Sequence, residues 1–202
     1  MIKTIIKILS VIFLLLIIIV FCLSFFGVNT KQFNNQITNK VLKINKKIDL
    51  NLDNVNYLLN PYNLTISIKT KNPEISLDGV KLGIKHLKTN ISLKSLIYGQ
   101  FLINDLQITT KETKLNDVIS LTRSFNNSPQ LFILNKMTKG GFVSANIKLN
   151  FDKKGKIKEN YKIVGSVKKL KLNFLNQFKL KNFNFNFDVS KNNYLLKKID
   201  TE

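Results

Sequence analysis

Few side chains in this chain are equipped for covalent or proton-transfer chemistry. One histidine, His86, sits in the basic run KLGIKHLKTN, and one cysteine, Cys22, lies inside an apolar stretch. Nucleophilic catalysis needs a nucleophile with a base beside it, and a metal centre needs His, Cys, Asp or Glu at ligand spacing. The sequence holds no HExxH, no GxSxG and no glycine-rich phosphate loop. Its twelve carboxylates, Asp49, Asp53, Asp78 and Asp105 among them, are scattered without a pairing that marks an acid and base couple. A lone histidine in a strand-like basic run reads as solvated surface. The expectation is a protein that is not an enzyme, with no catalytic residue, no metal and no cofactor.

The chemistry these residue types do support is apolar contact. Val143, Ala145, Ile147, Leu149 and Phe151 alternate with Ser144, Asn146, Lys148 and Asn150. Phe183, Phe185, Phe187 and Val189 alternate in the same way with Asn182, Asn184, Asn186 and Asp188. Period two sends alternate side chains to opposite faces of a strand. Each ribbon therefore has one greasy face and one of amide and charge, and the nine apolar residues are the candidate lining of a groove. Tyr161, Ile163, Gly165 and Val167, then Leu170, Leu172 and Phe174, continue the pattern between them. Such a face needs a cover: a second sheet, as in a sandwich or barrel, or acyl chains lying in a bent sheet. Composition leaves both open.

The element that positions all of this lies at the N-terminus. Ile8 to Phe26 is nineteen residues without a charge, and only Ser10 and Ser24 are polar. At about 1.5 Å per residue, such a helix roughly matches the ~30 Å hydrocarbon core of a bilayer. The stretch, including Ile8, Leu15, Ile18 and Phe26, is read as a membrane anchor. A cleaved signal peptide fits less well, because its apolar region is about 7 to 15 residues and ends in a small-x-small site. Lys3 and Lys7 on the short leading stub place that stub in the cytoplasm and the bulk of the chain across the membrane.

The formal charge of +20 raises nucleic acid as a partner. The lysines are spread along the chain, however, Arg occurs once as Arg123, and no nucleic-acid motif is present. An anionic lipid surface explains the sign equally well. So does the base composition of a genome that favours Asn, Lys and Ile. No disulfide is available outside the anchor, so sheet and core must hold the exported part.

Taken in order, Lys31 to Asn45 places Phe33, Ile37, Val41, Leu42 and Ile44 at mostly helical spacing, a short amphipathic helix that lies at the membrane interface or starts the domain. Ile48 to Asp53 and Leu64 to Ile68 alternate as strands, and Asp78-Gly79 marks a hairpin. A change of phase near His86 predicts a bulge. Leu93 to Gly99 suits one helical turn closed by Gly99, and Leu102 to Ile108 another strand. Lys114 to Phe125 predicts a helix ended by Asn126-Asn127-Ser128-Pro129, whereas Leu131 to Met137 is ambiguous. Gly140-Gly141 is the clearest joint. The resulting division is a stub and anchor at 1–28, a β-rich module at 29–139 and a β-repeat region at 140–202.

The anchor, the short helix, the strand near Ile48 to Leu52, the hairpin around ISLDGV and then NISLKSLIYGQFLINDLQI resemble the start of the AsmA-like family of Gram-negative envelopes, the group that includes AsmA, TamB and YhdP. Ile91 to Leu93, Ser95 to Gly99 and Phe101 to Ile108 match its strand, turn and strand. YKIVGSVKKLKLNF and FKLKNFNFNFDVS are similar to the repeated strands of its larger members. The resemblance implies an elongated antiparallel β-sheet trough with one or two short helices behind a transmembrane helix. It implies an inner-membrane protein whose periplasmic trough passes phospholipid acyl chains toward the outer membrane. Other envelope proteins would be its partners, and nucleic acid would not. The larger members are longer, so the 202 residues are expected to be the N-terminal part of a longer protein or assembly. A membrane-tethered structural or interaction module of envelope assembly is the alternative.

Overall fold

The computed structural model describes residues 2–31, 34–35, 38–39, 42, 48–77, 80–98, 103–125, 128–152, 156–174 and 178–201. The uncharged run forms most of α1 (Ile2–Phe25), on which every side chain from Lys3 to Cys22 is exposed. Lys3–Phe25 is long and apolar enough to cross a bilayer. Ile8, Leu15 and Ile18 project from α1, and Phe26 lies one residue past its end. The N–H groups of Phe26 and Gly27 both donate to the Cys22 carbonyl, at 2.9 and 3.3 Å. Gly27 takes a φ of +65°, and a side chain there would strike the Tyr57 carbonyl. Glycine thus closes the helix and turns the chain straight into β1 (Val28–Thr30).

The rest is mainly β. Its strands are β2 (Ile48–Asn51), β3 (Val55–Asn60), β4 (Thr65–Lys71), β5 (Glu74–Leu77), β6 (Val80–Ser92), β7 (Ile103–Thr110), β8 (Thr113–Lys114), β9 (Thr138–Asn150), β10 (Lys162–Phe174), β11 (Phe178–Ser190) and β12 (Asn193–Thr201). Every pairing is antiparallel, and the main path runs β1-β3-β4-β6-β7-β9-β10-β11-β12. This is one sheet, not two sheets facing each other as a sandwich requires. β6 turns the corner. Its start pairs with β5, from Glu74↔Gly83 to Leu77↔Val80, and its remainder pairs with β4, from Lys71↔His86 to Thr65↔Ser92. The register against β7 shifts between Ile84 and His86, the predicted bulge.

That corner folds β2 and β5 back over β3, β4 and β6. Leu50 and Leu52 close on Val55, Ile68 and Ile91, with Tyr57, Ile66 and Ile75 packed around them. Asn34 and Thr38 are helical and hold this lid in place. Asn34 Nδ2 donates to the Leu52 carbonyl at 2.6 Å, and Thr38 Oγ1 donates to that of Leu50 at 3.1 Å. Of the helix expected over Lys31 to Asn45, Leu42 is helical and half-buried, whereas Phe33, Ile37, Val41 and Ile44 lie outside the described residues, as do Asp78-Gly79, Gly99, Leu102 and Asn126-Asn127.

Besides the helical residues around Asn34 and Thr38, three short helices follow α1 among the described residues, where one or two were expected: α2 (Leu93–Ile97), α3 (Leu115–Phe125) and α4 (Pro129–Met137). α4 resolves the ambiguous segment. Ser128 caps it, its Oγ accepting from the Leu131 N–H at 3.3 Å, and Pro129 occupies the first turn. α3 packs against β9 and β6 through the buried Ile119, and α4 against β9 and β10. Gly140 and Gly141 lie inside β9 rather than in a loop, with Gly140 opposite Lys171 of β10.

Candidate functional site

Cross-strand partners in an antiparallel sheet share a face. Following the register from strand to strand therefore traces each face across the molecule. Thr30, Val55, Thr70, Leu87, Ile108, Ile147, Ile163, Val189 and Tyr194 form one row through all nine strands of the main path. Beside it run Tyr57, Ile68, Thr89, Leu106 and Leu149 on one side. On the other side are Ala145, Gly165, Phe187 and Leu196, then Val143, Val167 and Phe185. In these rows Thr30, Thr70 and Thr89 are the polar interruptions and Gly165 is a gap, and Thr89 Oγ1 satisfies itself on the Asp105 carbonyl at 2.6 Å.

The expected lining residues thus come together on one face. Val143, Ala145, Ile147 and Leu149 of β9 meet Phe183, Phe185, Phe187 and Val189 of β11 across β10, where Leu170 is the partner of Phe183. Phe151 sits just past β9, bridged to Ile157. Leu106, Ile108, Ile163 and Val167 belong to the same surface. Their own alternation marked them as strand residues, but only the register reveals that they join the groove.

The face is closed at one end and open at the other. Under β2, Val55 and Ile91 are 0% and 1% exposed. Among β9–β11, Val167 and Leu170 are buried toward the end where α3 and α4 pack, whereas all nine expected lining residues are half-buried. Side chains that pack sideways on their neighbours but carry no layer above them have this intermediate exposure. The ring of Phe187 reaches over Gly165, its Cζ and Cε1 filling the space a side chain at that position would take.

The opposite face is mostly polar, with Leu58, Val164 and Leu195 among its apolar exceptions. Asn29, Asn56, Lys69, Lys88, Gln107, Lys148, Lys162, Ser190 and Asn193 form its matching row. Lys162 meets Asp188 at 3.5 Å, and Asp105 accepts from Asn90 Nδ2 at 2.8 and 3.0 Å. His86 is exposed at the β6 corner, opposite Lys71 and Thr109. Among the described residues no three His, Cys, Asp or Glu side chains stand close enough to hold a metal. What this arrangement offers chemically is a sharp separation of apolar and cationic surfaces.

Tyr57 reports on the closed end. Burial pushes its phenol above the ordinary tyrosine range. The folded state therefore holds the proton more tightly than the unfolded chain, and this contribution to stability is intact below the ordinary value and is lost as pH rises through the folded one. In an alkaline titration followed at the phenolate band, Tyr57→Phe is expected to remove the latest phase. An unchanged late phase in the variant would show that Tyr57 is not closed off.

Comparison of the chain with protein-family models, with curated proteins and with solved structures finds no match.

Proposed function

We propose that this is a single-pass protein of the cytoplasmic membrane whose sheet lies on the periplasmic side and handles phospholipid, holding acyl chains on its apolar face as part of supplying the outer membrane and building the envelope. The observation that carries this reading is the apolar row from β3 to β11, interrupted only at Thr70, with Ile147, Ile163 and Val189 left half-buried on β9–β11. An acyl chain laid there is shielded from water at about 0.8 kcal/mol per buried methylene. Because only one polar side chain breaks the row, sliding along it changes the covered area little, so movement needs no nucleophile and no cofactor. The resemblance to the AsmA-like family points the same way, as does the basic polar face, which suits anionic headgroups.

A second reading is a membrane-tethered structural or interaction module without lipid. The closed core under Leu50 and Leu52 favours it, because that end of the row already has its cover. A photo-crosslinking amino acid separates the two when placed in turn at Phe185 and at Asn186, neighbours on opposite faces of β11. Phospholipid captured at Phe185 and not at Asn186 is the expected result. Equal capture at both sites, or protein alone at Phe185, would overturn lipid handling in favour of the module.

A further inference from the structure

The register fixes where the β3–β4 turn goes. β3 passes Thr30 at Val55 and Val28 at Tyr57, then runs on beyond Gly27, whose Cα is flanked by Leu58. Its end and the turn at residues 61–64 are therefore carried back alongside α1 instead of away from it. Between them lies a cleft of about 840 Å³, lined by Phe13, Val20 and Phe25 of α1 and by Leu59, Pro61 and Tyr62 of the hairpin. The turn points apolar groups outward: Tyr62 is 96% exposed and Leu64 58%. Its polar groups are used locally, with the Asn63 N–H donating to Asn60 Oδ1 at 3.2 Å and the Leu64 carbonyl accepting from the Leu93 N–H at 2.8 Å. The second bond ties the turn to α2, after which Tyr98 projects at 70% exposure.

We infer that this edge, comprising the turn at 61–64 and Tyr98 after α2, is a second membrane contact that sits at the headgroup and acyl boundary of the leaflet crossed by the C-terminal half of α1. The inference rests on the embedding of α1 in a bilayer, as in the proposed function, and is independent of whether the sheet carries lipid. Continuity selects the occupant. The far wall of the cleft is a helix of transmembrane length with no buried part, so what surrounds α1 at this depth also reaches Tyr62. Tyrosines are favoured at that boundary because ring and hydroxyl find their preferred phases there. Lys69, which lines the cleft, and the exposed Lys94 of α2 supply cations for phosphate on the water side. Two separated contacts stop the sheet from swinging about Gly27. They also hold the β3–β4 end of the apolar row against the leaflet.

The test uses the full chain with Cys22→Ser, in vesicles of phosphatidylethanolamine and phosphatidylglycerol. Single cysteines at Tyr62→Cys, Tyr98→Cys, Leu15→Cys and Tyr194→Cys carry an environment-sensitive fluorophore, and the vesicles carry lipids with a nitroxide near the headgroup or deep in the chain. Probes at 62 and 98 are expected to be blue-shifted and quenched most by the shallow nitroxide. The probe at 15 should be quenched by the deep one, and the probe at 194 should report water. Quenching at 15 with 62 and 98 behaving like 194 would overturn the second contact while leaving the anchor standing. Absence of quenching at 15 would overturn the anchor and the edge together. Probes at 62 and 98 shielded from both lipid nitroxide and aqueous iodide would assign the edge to a protein partner and equally overturn the inference.

Discussion

Ile91→Asp is expected to abolish accumulation of the folded protein. Ile91 is 1% exposed, lies between Ile66 of β4 and Ile103 of β7, and is sealed from above by the Leu50 and Leu52 lid. Removing a buried isoleucine side chain down to the β-carbon costs about 2 to 5 kcal/mol. An uncompensated carboxylate in its place adds several kcal/mol more, because no cation is among the core cluster residues around it. The total rivals the whole stability of an ordinary domain, about 5 to 15 kcal/mol. Limited proteolysis of the detergent-extracted protein reads this directly, with Ile91→Val, at a cost of about 1 kcal/mol, as the control. A protease-resistant Ile91→Asp protein with the wild-type melting temperature would mean that the lid does not close on β6.

Gly165→Val should be the most damaging substitution on the open half of the face. A β-carbon at this position would press into the Phe187 ring and the Ser144 carbonyl. The ring can swing outward, but the carbonyl belongs to the β9 backbone opposite and can yield only by opening the pairing of β9 with β10. Overpacking of this kind costs about 1 to 3 kcal/mol, and more where the backbone itself is struck. The expected reading is a clear drop in melting temperature, with Val164→Ala on the opposite face within about 0.5 kcal/mol of wild type. Adding Phe187→Ala to Gly165→Val should return part of the loss and not all of it, since the Ser144 carbonyl remains. A Gly165→Val protein as stable as wild type, or a double variant with no relief, would show that the ring does not lie on the glycine.

What was legible in the chain follows from the range over which each signal acts. Period-two alternation depends only on which face of a strand is wet, so β9, β10 and β11 and the apolar face of each could be read one strand at a time. The β6 bulge was legible because a phase change at His86 is a local event. Pairing order has no local signature. Nothing in Leu106 or Ile108 announces that β7, rather than a later strand, lies beside β9, nor that β6 divides its length between β5 and β4. β1 escaped notice because three residues are too few to display a period. α4 was left ambiguous by its apolar pattern, which presents no buried stripe: Phe132, Ile133 and Leu134 are all exposed. Its start was nonetheless written in Ser128-Pro129, a cap followed by proline.

The two borders of the main strand path are unequal. β1 is three residues long and continues through Gly27 into α1, so its free side offers hardly any backbone to bond. β12 is nine residues long, and every one of them is exposed. Among the described residues β12 is therefore the border with the longer run of backbone that has no strand beside it, and an edge of that length is the one on which a further strand could pair, at a spacing of about 4.8 Å.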